Sequence, residues 1–153
     1  MKMFNKLILI LLPFCLFSQQ NLFDKELFIV EEDTLRYRVL APLDYEKDKK
    51  YPVHLVLHGS GERGNDNKLQ LFHGSNLFLN KKNREKYKSW VIFPQAPKND
   101  WWGGNYDPYK FDYEIKTSQA LDLVIRFMDE FINRGDVDKN KVYVSGLSMG
   151  GMG

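Results

Sequence analysis

A serine set between glycines, Gly146-Leu147-Ser148-Met149-Gly150, is the clearest chemical signal in this chain. The Ser148 hydroxyl is a candidate nucleophile. The G-x-S-x-G spacing is that of an elbow, where a strand turns sharply into a helix and holds the serine strained and exposed. Glycines suit both flanks because a side chain there would collide as the turn closes. The pentapeptide alone arises by chance in about one random chain in twenty of this length. Its context strengthens it, since the β-prone run Val142, Tyr143, Val144 leads straight into it. A second signal lies upstream, where the apolar run from Pro52 to Leu57 ends in the glycine-rich turn His58-Gly59-Ser60-Gly61. A serine hydroxyl needs a base to become a good nucleophile. No Asp, Glu or His follows Ser148 in the five residues to Gly153.

The elements that must position these turns follow from hydrophobic pattern. Residues 27–30 and 35–41 read as an antiparallel hairpin turning at 31–34. In its second strand Leu35, Tyr37 and Val39 alternate with Arg36 and Arg38, which predicts one buried and one wet face. Residues 44–50 are a charged surface loop, and 53–57 a strand whose near-continuous apolar character suits cover on both faces. Residues 59–67 form a loop dense in Gly, Asn and charge, and 69–82 are helical or irregular. A fourth strand spans 90–93. A long loop over 97–108 holds Trp101 and Trp102. An amphipathic helix over 115–133 places Leu121, Val124, Met128, Phe131 and Ile132 on one face, with Gly135 as its stop. Residues 142–145 are the fifth strand. Strands alternating with helical connections predict a mostly parallel sheet flanked by helices.

The first 18 residues read as a secretory signal peptide. Lys2 and Lys6 precede an apolar stretch over 7–17 that is short for a bilayer, and Ser18 offers a cleavage site before Gln19. The bulky Phe14 before Cys15 argues against a lipid anchor. Residues 19–153 are then one domain, secreted or periplasmic. Without Lys2 and Lys6 the chain keeps 20 basic residues against 20 acidic. With no basic stripe, nothing points to a nucleic acid partner or an anionic membrane surface. Cys15 is the sole cysteine and leaves with the signal, so no disulfide is expected despite the oxidising destination. His54, His58 and His73 show no metal-ligand spacing, and no cofactor is implied.

Three words in the sequence carry a family resemblance. They are Leu57-His-Gly-Ser-Gly-Glu-Arg-Gly-Asn-Asp66, then Phe93-Pro-Gln-Ala-Pro97 with Trp101 and Trp102, then the stretch from Val137 to Gly151. Over residues 35–153 the chain resembles secreted α/β-hydrolases of the predicted peptidase and phospholipase/carboxylesterase-like kind. More distantly it is similar to polyhydroxybutyrate-depolymerase-type and feruloyl-type esterases. The resemblance implies Ser148 as nucleophile and the backbone N–H groups of Ser60 and Met149 as the oxyanion hole. It implies a small-molecule or polymer ester as substrate. Trp101 and Trp102 are expected either to wall an acyl or sugar subsite or, for one of them, to pack in the core. Glu62, Arg63 and Asp66 would brace the oxyanion loop by ion pairs, with contact to substrate as the alternative. His58 reads as structural, because this fold orders nucleophile, acid, histidine. His54 reads as a satisfied residue of the third strand. The acid and the histidine of a triad have no counterpart here, so the chain reads as an N-terminal half, truncated after the elbow. Alone it is expected to be inactive, with the elbow strand's far edge unpaired. Two alternatives stand beside this reading: a prolyl-oligopeptidase-like peptidase, and a non-catalytic secreted module binding through Trp101 and Trp102.

Overall fold

The computed structural model describes residues 22–103 and 117–153. The expected signal peptide and the start of the expected helix at 115 lie outside them. The described strands are β1 (Asp24–Val30), β2 (Asp33–Leu40), β3 (Tyr51–Leu57), β4 (Trp90–Gln95) and β5 (Val137–Gly146). They form one sheet in the order β1-β2-β4-β3-β5. The sheet is mixed rather than mostly parallel. β1 and β2 form the expected hairpin, and β2 then runs antiparallel to β4 as well. Only β4, β3 and β5 run parallel, and each parallel step has a helical crossover between its strands. β5 starts earlier than the apolar run suggested. Tyr51 pairs with Val137 and Val53 already with Val142, so the polar residues between them form an irregular insert in β5.

Two hydrophobic clusters cover the sheet, and β4 shows why. Its residues are all buried, with Trp90 and Ile92 in one cluster and Val91 and Phe93 in the other, the two-residue alternation of a strand. β3 instead alternates: Val53, Leu55 and Leu57 are buried, while Pro52, His54 and Val56 are half-open. The expectation of full cover on both faces therefore belongs to β4 and not to β3. The first cluster receives α3 (Gln119–Ile132), whose Ser118 accepts a hydrogen bond from the Leu121 N–H and caps the first turn. Its buried stripe is Ala120, Leu123, Val124, Phe127, Met128 and Phe131, with Leu121 and Ile132 at the margin. The expected face was thus rotated by part of a turn. The helix ends at Asn133 in a helical conformation, so Gly135 is not a left-handed stop.

The second cluster is smaller. There Phe23, Leu40, Val91 and Phe93 meet Leu71 and Leu79 from the segment between β3 and β4. That segment resolves into a 3-10 turn at Leu69–Leu71 and two short helices, α1 (Ser75–Leu79) and α2 (Lys81–Lys86). The predicted wet face of β2 also fails at one position. Arg38 is buried and donates from its guanidinium to the Asn67 carbonyl at 3.3 Å. Helix α3 packs on the first face, with Phe28 edge-on to Phe127 and Tyr37 tilted against it, at 5.4 and 4.4 Å between ring centres. Phe127→Ala is therefore expected to destabilise the fold by about 3–5 kcal/mol in chemical denaturation. Ile125→Ala, on the exposed side of the same helix, should stay within about 0.5 kcal/mol.

Candidate active site

The site is built where the C-terminal ends of β3 and β5 meet. β5 leaves the sheet at Gly146, passes through extended Leu147, and turns at Ser148 into a 3-10 turn over Ser148–Gly151. Ser148 has φ 50, a left-handed conformation for a residue with a side chain. Such strain costs on the order of 1–3 kcal/mol and persists only where surrounding contacts enforce it. The enforcing contacts are visible. The Leu147 N–H donates to the Leu57 carbonyl at 3.0 Å, and the Gly150 N–H to the Leu147 carbonyl at 2.8 Å. A Cβ on Gly150 would lie 2.1 Å from the Leu57 carbonyl oxygen. One on Gly146 would lie 2.0 Å from the Gly150 carbonyl oxygen. Both glycines are thus required by close backbone approach, as the spacing predicted. Met149 is buried in the main core and pins the turn, while Ser148 stays exposed.

The loop expected to hold the other oxyanion donor comes off the end of β3. After Leu57 the chain runs His58-Gly59 into a 3-10 turn at Ser60–Glu62. A Cβ on Gly59 would sit 3.8 Å from Ser148 Cβ and 3.6 Å from the Leu147 carbonyl, so the two turns touch. Among the described residues, neither the Ser60 nor the Met149 N–H is committed to a backbone carbonyl outside its own short turn.

His58 is fully occupied beneath this loop. The Ala96 N–H donates to its Nε2 at 3.0 Å, which leaves Nδ1 as the protonated nitrogen, donating to the Gly59 carbonyl at 2.6 Å. The Trp102 indole donates to the His58 carbonyl at 2.9 Å, and the two rings meet edge to face at 4.9 Å. Burial pushes the imidazole below its ordinary pKa. The Gly59 hydrogen bond and the Glu62 charge oppose the shift only in part, and the Arg63 charge reinforces it. His58 is a neutral structural pin. His54 pairs with Ser145 Oγ at 3.0 Å, and His73 lies 3.7 Å from the Glu62 carboxylate. None of these contacts engages Ser148.

Hydrogen bonds, rather than the expected ion pairs, do most of the bracing of the loop. Asp66 Oδ1 accepts from the amides of Lys68 and Leu69 and from Gln95 Nε2, at 2.9, 3.2 and 2.8 Å. Burial raises the Asp66 pKa, but these donors outweigh it and hold the carboxyl below the usual range. Gln95 also donates to the Glu62 carbonyl at 3.1 Å and accepts from the Asn67 N–H at 2.7 Å. Asn67, left-handed at φ 52, donates from its side chain to the Glu26 and Tyr37 carbonyls, and Gln70 donates to it in turn. Gln95, Asn67 and Gln70 went unassigned at the sequence level. The available signal was a glutamine closing an otherwise apolar strand at Phe93-Pro-Gln-Ala-Pro97.

Trp101 and Trp102 part company. Trp102 is 0% exposed in the core, so it is no surface wall and cannot serve a binding platform. Trp101 keeps some exposed area beside Arg63. A cavity of about 250 Å³ lies elsewhere, on the face of α1 and α2, lined among others by Leu40, His54, Phe78, Arg84 and Val91. It does not reach Ser148. Among the described residues no group of three or more His, Cys, Asp or Glu is placed to hold a metal ion, and no helix is long and apolar enough to cross a membrane.

No family model matches the chain, and no curated protein does. Solved structures do. A thermostable esterase superimposes with a TM-score of 0.78 at 30% identity, over 89% of this chain and 37% of its own. A ferulic acid esterase follows at 0.57 and 22% identity, over 85% of this chain and 52% of its own. A ferulic acid esterase from Anaeromyces mucronatus gives 0.51 at 18%, over 84% and 50%. The two latter similarities establish the fold alone. The chain therefore spans from 37% to about half the length of these esterases.

The His58 arrangement makes a definite statement about pH. Its folded-state pKa lies below the unfolded value near 6.5, so protonation favours the unfolded chain. The stability it contributes is complete above about pH 6.5 and is lost as pH falls below that value towards the folded-state pKa. NMR titration of the folded protein should place the His58 midpoint below about 6.5. A midpoint at or above that value contradicts the pinned neutral tautomer.

Proposed function

We propose that this chain is the nucleophile-bearing part of a secreted serine hydrolase acting on carboxylic esters. The observation that carries the reading is Ser148 held at φ 50 between two glycines that backbone contact requires, with the Gly59-Ser60 turn beside it. The similarity to a thermostable esterase over 89% of the chain supports the same chemical class. In the proposed reaction the Ser148 hydroxyl attacks the ester carbonyl and loses its proton to a base. The Ser60 and Met149 N–H groups receive the developing oxyanion, each worth about 3–4 kcal/mol where such donors have been removed in comparable enzymes. Collapse expels the alcohol, whose oxygen takes the proton back from the base, and leaves an acyl group on Ser148. Water, activated by the same base, then releases the acid. The reading needs no cofactor.

The base and its supporting acid are proposed to lie in sequence beyond these 153 residues. His58 has both ring nitrogens engaged, and His54 and His73 are paired with Ser145 and Glu62. The state of β5 agrees with such a continuation. It closes the row of described strands, with Val142, Tyr143 and Val144 exposed. Trp101 is the residue proposed to flank the substrate. Export with a mature N-terminus near Gln19 belongs to the same proposal.

The test uses the full-length enzyme. Ser148→Ala should lower kcat for a p-nitrophenyl ester by about 10⁶-fold, the scale of removing a triad nucleophile. A fluorophosphonate probe should label the wild type and not this variant. Labelling that survives the substitution would identify another nucleophile and refute the proposal.

A further inference from the structure

Arg63 contacts both the Ser60 turn and Trp101. Its Nε–H donates to the Ser60 carbonyl at 2.9 Å, and its guanidinium carbon lies 4.0 Å from the centre of the Trp101 ring. Trp101 is itself fixed from the other side. Its N–H donates to Asp100 Oδ1 at 2.8 Å, and its carbonyl accepts the Ser118 hydroxyl, the side chain that caps α3. Asp100 Oδ2 accepts the Ala120 N–H at 2.7 Å, which joins the Trp101 segment to the first turn of α3. A continuous set of contacts therefore runs from the start of α3 through Asp100, Trp101 and Arg63 to Ser60.

The Ser60 turn needs such a brace. Its flanks, Gly59 and Gly61, carry no side chains, and a Cβ built on Gly61 meets nothing within 4 Å. The amide of Ser60 is useful only if it points at the oxyanion before the reaction starts, because preorganisation is what makes such a donor effective. A planar guanidinium can stack on an indole and donate in its own plane at the same time, which a lysine ammonium cannot do. We propose that Arg63 is a positioning residue that bridges Trp101 to the Ser60 carbonyl and thereby holds the Ser60–Glu62 turn in the conformation that presents the Ser60 N–H.

This inference rests on the serine-hydrolase reading, and one experiment separates the two. In the full-length enzyme, fluorophosphonate labelling at Ser148 tests that reading and should occur in wild type and in Arg63→Ala alike. Absence of labelling in wild type overturns the reading, and the Arg63 assignment with it. Given labelling, Arg63→Ala should lower kcat about 10- to 100-fold, short of the loss on deleting an oxyanion donor outright. KM should change by less than about twofold, the pattern of an interaction made in the transition state. Affinity for a trifluoromethyl ketone inhibitor should fall by the same factor as kcat/KM. The loss should be equal for a neutral ester and for one bearing a carboxylate. Arg63→Lys, folded with a wild-type melting temperature, should recover less than half of the lost kcat. Unchanged kcat, a loss confined to KM, a loss confined to the carboxylate ester, or full recovery by lysine would each overturn the positioning role.

Discussion

The carbonyl of Leu57 is the point on which the site depends. It accepts the Leu147 N–H at 3.0 Å, and the Gly150 backbone packs so closely against it that a Cβ would lie 2.1 Å away. One peptide group at the end of β3 thus fixes both the entry and the exit of the Ser148 turn. Because the residues that follow this strand are His58, Gly59 and Ser60, the elbow serine and the Ser60 loop are positioned from a common origin. The parallel register of β3 and β5, with Leu57 opposite Gly146, delivers the two turns side by side. A left-handed serine is unfavourable in isolation, and this local scaffold is what sustains it.

Polar groups carry the support outward from that point. His58 links Gly59 to the Ala96 amide after β4, and Gln95 at the end of β4 ties Glu62, Asp66 and Asn67 together. Arg38 on β2 reaches the Asn67 carbonyl. β1, β2 and β4 therefore each contribute a hydrogen bond to the Ser60 loop, with β1 represented by the Glu26 carbonyl. In a low-dielectric surrounding, a satisfied network of this kind holds one conformation, and a partly broken one is costly. That is the physical reason a loop of glycines and charges can hold a defined direction for one amide.

The elbow was legible in the sequence because its demands are local: two glycines, a serine and a β-prone lead-in. The hairpin, the five strands and the helix before β5 were legible from periodicity for the same reason. What escaped were consequences of tertiary placement. Arg36 and Arg38 look alike in an alternating strand, yet only Arg38 is buried, because it lies under Asn67. Nothing in Trp101-Trp102 says which ring enters the core. The answer depends on the free carbonyl of His58, which takes the Trp102 indole N–H. The mixed sheet was missed because strand direction between β2 and β4 is set by pairing between residues distant in the chain, Leu40 with Val91 and Arg36 with Gln95, and leaves no local pattern. The role of Gln95 has no local signature, since a glutamine's value here comes from three partners distant in the chain, Glu62, Asp66 and Asn67.

A structure of the full-length enzyme inhibited by a phosphonate tests the central claim most directly, that Ser148, Ser60 and Met149 form one acyl-transfer site. The account predicts phosphorus bonded to Ser148 Oγ, with its oxygen about 2.7–3.1 Å from both the Ser60 and the Met149 amide nitrogens. An adduct on another residue, or one on Ser148 whose oxygen points away from both amides, would contradict it.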